Sequence, residues 1–119
     1  SLISVTRSVR AKNDTLLVVL IDSYAASAGE DFVRYVQQLE NVVVVGTNTC
    51  GSMLAGNLGL FILPNTKIRL SCGTKISLCE DFVNPDSRGL MPDLWVHPDE
   101  ALERAIKYIQ AVQADRRNH

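Results

Sequence analysis

Ser27 lies in the string Ala-Ala-Ser-Ala-Gly-Glu, residues 25–30, just after an apolar run. Two chemistries suit a serine there. With Glu30 it makes the pattern S-x-x-E ahead of an apolar periodic segment. That is a capping box: the serine oxygen accepts a first-turn amide and the glutamate reaches back. Alternatively, a serine at a strand-to-helix turn projects from the carboxyl end of a strand, where the free amides of the following helix point into the same space. Such amides stabilise an oxyanion at the place where a tetrahedral intermediate develops its charge. Small neighbours at 25, 26, 28 and 29 admit a polypeptide closely. This is the logic of a nucleophile elbow, although G-x-S-x-G itself is absent. Spacing alone leaves both readings open.

The other reactive residue types narrow the field. GTNTCG, residues 46–51, lacks the Lys-Ser/Thr that a phosphate loop requires. Cys50, Cys72 and Cys79 are odd in number and form no C-x-x-C pair, so neither a zinc site nor a disulfide framework is expected. They read as buried, reduced, inert thiols, with Cys50 set apart by its Gly-rich loop. His97 precedes Pro98 and reads as a helix cap or surface residue; His119 is terminal. In MPD, residues 91–93, proline fixes a turn and Asp93 is expected to bond local backbone. No metal or cofactor is implied. A net charge of −1 provides no field for nucleic acid or an anionic membrane. The longest apolar run, residues 16–21, is far too short to span a bilayer.

The elements that must position Ser27 follow from periodicity. The 119 residues suit one domain, 1–119, and 46% hydrophobic residues suffice for a core. Residues 15–21 form a continuous β-branched and leucine run, as in a strand buried on both faces. Residues 27–39 switch to helical spacing, with Phe32, Val33, Val36 and Leu39 recurring. Residues 42–45 give a second buried strand, completing a βαβ unit with a right-handed crossover. Residues 46–57 form a loop. Segments 58–63 and 67–71 make a hairpin-like pair, 74–79 a further short strand, 81–89 an exposed loop, and 94–96 a short strand. From Pro98 a helix is expected, with Leu102, Ala105, Ile106, Ile109 and Val112 on its buried face and a frayed tail from Ala114. The opening on serine rather than methionine suggests an excised or processed piece.

Four segments in order, LIDSYAASAGEDFVRYV, VVVVGTNTCGSMLAGN, LPNTKIRLSCGTK and RGLMPDLWVHPDEALERAI, resemble the C-terminal processing (tail-specific) serine peptidases, including their tricorn-like and chlamydial activity-factor-like branches. The resemblance runs from about Leu16 to Ile109. It implies an α/β fold of the crotonase/Clp-protease-like type, with stacked ββα units, here truncated on its N-terminal side. It places Ser27 on the family nucleophile and the Ala28 amide on one oxyanion donor; the usual second, upstream Gly-rich donor is not in this sequence. Where well-known members have a lysine base, this chain has Ser52, whose hydroxyl is far too weak a base at neutral pH. Another branch uses Ser–His–Glu with the histidine upstream. There Asp86 matches the acidic position, one methylene short, and Glu80 is the lesser alternative.

No histidine precedes Ser27. The resemblance therefore implies a base from outside this chain and an inactive fragment, or else an inactive relative. Thr49, Gly51 and Ser52 would shape a substrate groove. The expected partners are a peptide or protein substrate, the remainder of a peptidase chain and, through an open apolar sheet face, further copies of the chain. The rival is a non-catalytic peptide-binding or scaffold domain with Ser27 a mere cap; a crotonase-type acyl-CoA enzyme is weaker. Compartment stays open: relatives are often exported, whereas three unpaired cysteines suit a reducing setting.

Overall fold

The computed structural model describes residues 10–77 and 86–119; Cys79 and Glu80 lie outside them. Two units of structure result. The first is a parallel sheet of β1 (Leu17–Ile21), β2 (Val42–Gly46) and β5 (Leu94–Trp95), in the order β1-β2-β5. β1 and β2 pair in register from Leu17↔Val42 to Ile21↔Gly46, and β5 adds Val45↔Leu94 and Gly46↔Trp95. Helix α1 (Ala28–Val36) links β1 to β2, as the change of apolar period anticipates. Helix α2 (Pro98–Arg117) follows β5 and packs on β1 and β2.

The core is small and forms where both periodicities meet: Ile21, Val33 and Val44 are buried together, flanked by Val19, Val42 and Leu90. Gly46 is required at the sheet's carboxyl edge, because at its φ of 137° a Cβ would lie 1.9 Å from the Ile21 carbonyl oxygen. Asp93 ties β5 to β2 rather than bonding its own turn. Its carboxylate accepts the Val44 amide at 2.8 Å, and its amide donates to the Val44 carbonyl at 2.8 Å.

Several expectations are corrected. In α2, Ala105 is buried and Ile109 and Val112 half-buried as expected, but Leu102 and Ile106 face outward and Ala101 is buried instead; the two alanines lie on the face turned to the sheet. Phe32 of α1 likewise faces outward. The tail does not fray at Ala114: the helix continues to Arg117, with Arg116 and Arg117 complementing the negative end of its dipole. Cys50 and Cys72 are exposed rather than buried, one on a loop and one on an uncovered strand.

The second unit is an antiparallel hairpin, β3 (Ala55–Ile62) with β4 (Arg69–Ile76), paired from Ala55↔Ile76 to Ile62↔Arg69. The strands expected at 67–71 and 74–79 are thus one, β4, as far as Ile76. β3 begins three residues earlier than its apolar run, with Ala55↔Ile76 and Gly56↔Lys75 continuing the pairing.

Candidate active site

The site collects at the carboxyl edge of the parallel sheet. After β1 the chain turns through residues 22–26. Asp22 Oδ1 accepts the Tyr24 amide at 2.9 Å, and the Asp22 carbonyl accepts the Ala25 amide at 3.1 Å. The Ala25 carbonyl in turn accepts the Cys50 amide at 2.8 Å, stitching this turn to the loop after β2. Ser27 then stands exposed at the head of α1.

Its backbone conformation bears on the two chemistries weighed for it. An ordinary capping residue has a negative φ in the β region. Ser27 has φ 50° and ψ −113°, outside both that region and the left-handed helical well. Conformations of this kind cost about 1–3 kcal/mol and persist only where neighbouring structure holds them. The capping box closes asymmetrically. Its glutamate half is firm, Ser27 N–H donating to Glu30 Oε2 at 3.0 Å. Its serine half is loose, with no side-chain capping bond of good geometry at Oγ. The Ala28 amide, at the first helical position, has no intrahelical acceptor.

Glu30 is the residue the sequence undervalues. It is 0% exposed, yet its carboxylate accepts four hydrogen bonds. Thr49 Oγ1 (2.5 Å) and the Gly51 amide (2.7 Å) donate to Oε1; the Ser52 (2.8 Å) and Ser27 amides donate to Oε2. Burial alone would raise its pKa. The bonds from Thr49, Ser52, Gly51 and Ser27 outweigh that and hold it below the ordinary carboxylate value. The available signal was an acidic residue three after Ser27 together with a Gly/Thr/Ser loop able to offer donors.

Thr49, Gly51 and Ser52 are therefore brought to Ser27 through Glu30. Thr49 is buried, its hydroxyl also accepting the Leu90 amide at 2.7 Å. Gly51 is buried as well, and Ser52 is exposed with its Oγ 3.3 Å from Cys50 Sγ. Asp86 grips the far end of the same loop, Oδ1 accepting the Met53 (2.9 Å) and Leu54 (2.8 Å) amides. Gly89 lets the two segments meet: with φ 73°, a Cβ there would lie 2.0 Å from the Thr49 carbonyl oxygen. His97 caps α2, its Nδ1 accepting the Asp99 amide at 3.4 Å.

Comparison with known proteins places the chain that carries this exposed serine. The model of peptidase family S41 matches residues 4–94. This chain belongs to peptidase family S41. Solved structures of S41 and C-terminal processing peptidases share its fold. A photosystem II D1 C-terminal processing protease aligns at 21% identity and TM-score 0.57, covering 71% of this chain and 21% of that one. An S41 protease from Bacteroides fragilis aligns at 18% identity and TM-score 0.58, covering 80% and 28%. Mature CPAF, solved with lactacystin, aligns at 19% identity and TM-score 0.56, covering 80% and 19%. The S41 chain thus spans less than a third of these solved chains. No curated protein sequence matches it significantly.

Proposed function

We propose that this S41 chain is the nucleophile-bearing part of a serine peptidase of crotonase/Clp-protease-like fold, hydrolysing peptide bonds through an acyl-enzyme on Ser27. The observation that carries the reading is the backbone of Ser27. A surface serine that only capped a helix would have no reason to hold φ 50° and ψ −113°. A nucleophile does, because the strained turn lifts Oγ out of the helix's first turn and into the path of a substrate.

In this mechanism Oγ attacks the scissile carbonyl carbon as its proton passes to a histidine supplied from outside the chain. The carbonyl oxygen becomes an oxyanion facing the Ala28 amide. Collapse of the intermediate breaks the C–N bond, and the histidinium gives its proton to the leaving amine. Water, deprotonated by the same histidine, then frees the acyl group. Asp86 orients that histidine; its bonds to two adjacent amides fix the plane of its carboxylate. Thr49 and Gly51 support the substrate groove from beneath, and Ser52 meets the substrate at its surface. With its base supplied from outside, the chain alone is inactive.

An active-serine fluorophosphonate probe tests this on the chain alone and on a longer polypeptide that carries an upstream histidine. Labelling at Ser27 in the longer protein only, abolished by Ser27→Ala, is expected. Labelling in neither, or peptide turnover that survives Ser27→Ala, overturns the reading.

A further inference from the structure

We propose that the Thr49 hydroxyl is a positioning group for the reaction, holding the Ser27 turn and the segment that carries Asp86 in one fixed relation. The inference rests on the reading of Ser27 as nucleophile and of Asp86 as the acid that orients its base. It needs only contacts made inside this chain. A hydroxyl has one proton to donate and two lone pairs that accept. Thr49 is 4% exposed and uses both. Its oxygen accepts the Leu90 amide at 2.7 Å, and its proton goes to Glu30 Oε1 at 2.5 Å. A carboxylate only accepts, so the direction of the chain is fixed from Leu90 N–H through Thr49 O–H to Glu30. Glu30 carries the link on through Oε2, which accepts the Ser27 amide at 3.0 Å.

The segment at the other end is laced to the loop after β2 along its length. The Thr49 amide donates to the Leu90 carbonyl at 3.1 Å, the Asn48 side chain to the Arg88 carbonyl at 3.0 Å, and the Ser87 amide to the Gly51 carbonyl at 3.0 Å. Asp86 closes the far end on the Met53 and Leu54 amides. Among the described residues, Thr49 is the side chain that bonds both this segment and Glu30. Burial pushes the Glu30 carboxyl up, and of the bonds that outweigh it the one from Thr49 is the largest. Loss of the hydroxyl also leaves the Leu90 amide without that acceptor, so both ends of the link loosen together. Ser27 Oγ and Asp86 must serve one base from segments far apart in sequence, and a misplacement of about 1 Å caused away from the chemistry can cost about 10²-fold in rate. Thr49 sets the two against each other from beneath, acting through Glu30 and the Leu90 amide.

The test has two arms. In the chain itself, Thr49→Val keeps the side-chain shape and removes the hydroxyl. NMR titration of the Glu30 carboxyl is expected to show its pKa moved up towards the ordinary value, with Thr49→Ser recovering at least half of the change. Val44→Ala, a core truncation away from both loops, is expected to leave that titration in place. In a longer polypeptide carrying an upstream histidine, Thr49→Val is expected to slow fluorophosphonate labelling of Ser27 at least tenfold at saturating probe. The half-saturating probe concentration should move less than threefold, and Thr49→Ser should recover most of the lost rate. Should Thr49→Val not fold, the Leu90 amide shift of the unaltered chain serves: it is expected to titrate at the Glu30 midpoint, reached through Thr49. No labelling of the unaltered longer protein overturns the nucleophile reading and this inference with it. Where the unaltered protein is labelled, the inference alone is overturned by any of four results: a Thr49→Val rate within threefold, a loss that Thr49→Ser does not recover, a Glu30 titration indifferent to the hydroxyl, or a Leu90 shift indifferent to Glu30.

Discussion

At the scale of the residue, Ser27 and Glu30 make one device. Glu30 is buried, but four donors converge on it, so its charge is stabilised where burial alone would neutralise it. Its pKa is lowered on folding, so it contributes stability that is present in full above the unfolded value near 4.5 and is lost as pH falls through the lower folded value. Urea midpoints are expected to hold from neutrality to about pH 5 and to drop below it; Glu30→Gln should flatten that drop. Glu30→Ala strands its donors and is expected to cost about 3 kcal/mol or more. Ser27 gives a sharper contrast. Ser27→Gly removes the penalty for positive φ and should leave stability unchanged or raise it by up to about 1 kcal/mol, whereas Ser27→Ala keeps the strain and loses only a loosely made Oγ bond, so it should lower stability by no more than about 0.5 kcal/mol. If Ser27→Ala instead costs about 0.5–2 kcal/mol by chemical denaturation while Ser27→Gly costs a few tenths, Ser27 is an ordinary cap.

At the scale of the element, apolar period positioned the strands and helices well and side-chain burial poorly. The run before Ser27, the helical spacing after it and the valines at 42–45 were enough to read the βαβ unit, because a continuous apolar strand and an amphipathic helix leave distinct patterns, although β1 buries only Ile21 fully and leaves Leu20 exposed. The facing of α2 was legible in part. Ala105 is buried and Ile109 and Val112 are half-buried as expected, but Ala101 is buried while Leu102 and Ile106 are exposed, and periodicity cannot tell which of two adjacent stripes turns inward. Overfilling that contact is the consequence: Ala105→Leu is expected to destabilise by about 1–3 kcal/mol, and Leu102→Gln by less than about 0.5 kcal/mol. Thermal melts of the two variants check the order. The site was legible in the same partial way. Ser27 and its loop partners are local in sequence, but Glu30 binding Thr49, Gly51 and Ser52, and Asp86 binding Met53 and Leu54, depend on contacts across 19 to 33 positions, which no motif spacing encodes.

At the scale of the whole molecule, stability is divided unevenly. β2 is the middle strand of the parallel sheet, and Val44 and Val45 are fully buried within it. Every residue of β4 is exposed. Among the described residues, the base of the hairpin is tied by Asp86 to the Met53 and Leu54 amides and by the Ser77 amide to the Leu54 carbonyl at 2.8 Å. Local opening follows the number of buried apolar contacts and the exposure of backbone bonds. Native-state hydrogen exchange is therefore expected to find the slowest amides at Val44 and Val45 and faster, sub-global exchange across β3 and β4 in dilute solution. Asp86→Ala removes the acceptor shared by two adjacent amides. It should speed exchange in residues 53–76 several-fold while leaving Val44 and Val45 within twofold, because β2 is tied through Asp93 and β1 instead. Uniform acceleration of both units by Asp86→Ala would show a single cooperative body, and would mean that the loop between Glu30 and Asp86 transmits order from the parallel sheet into the hairpin rather than merely joining them.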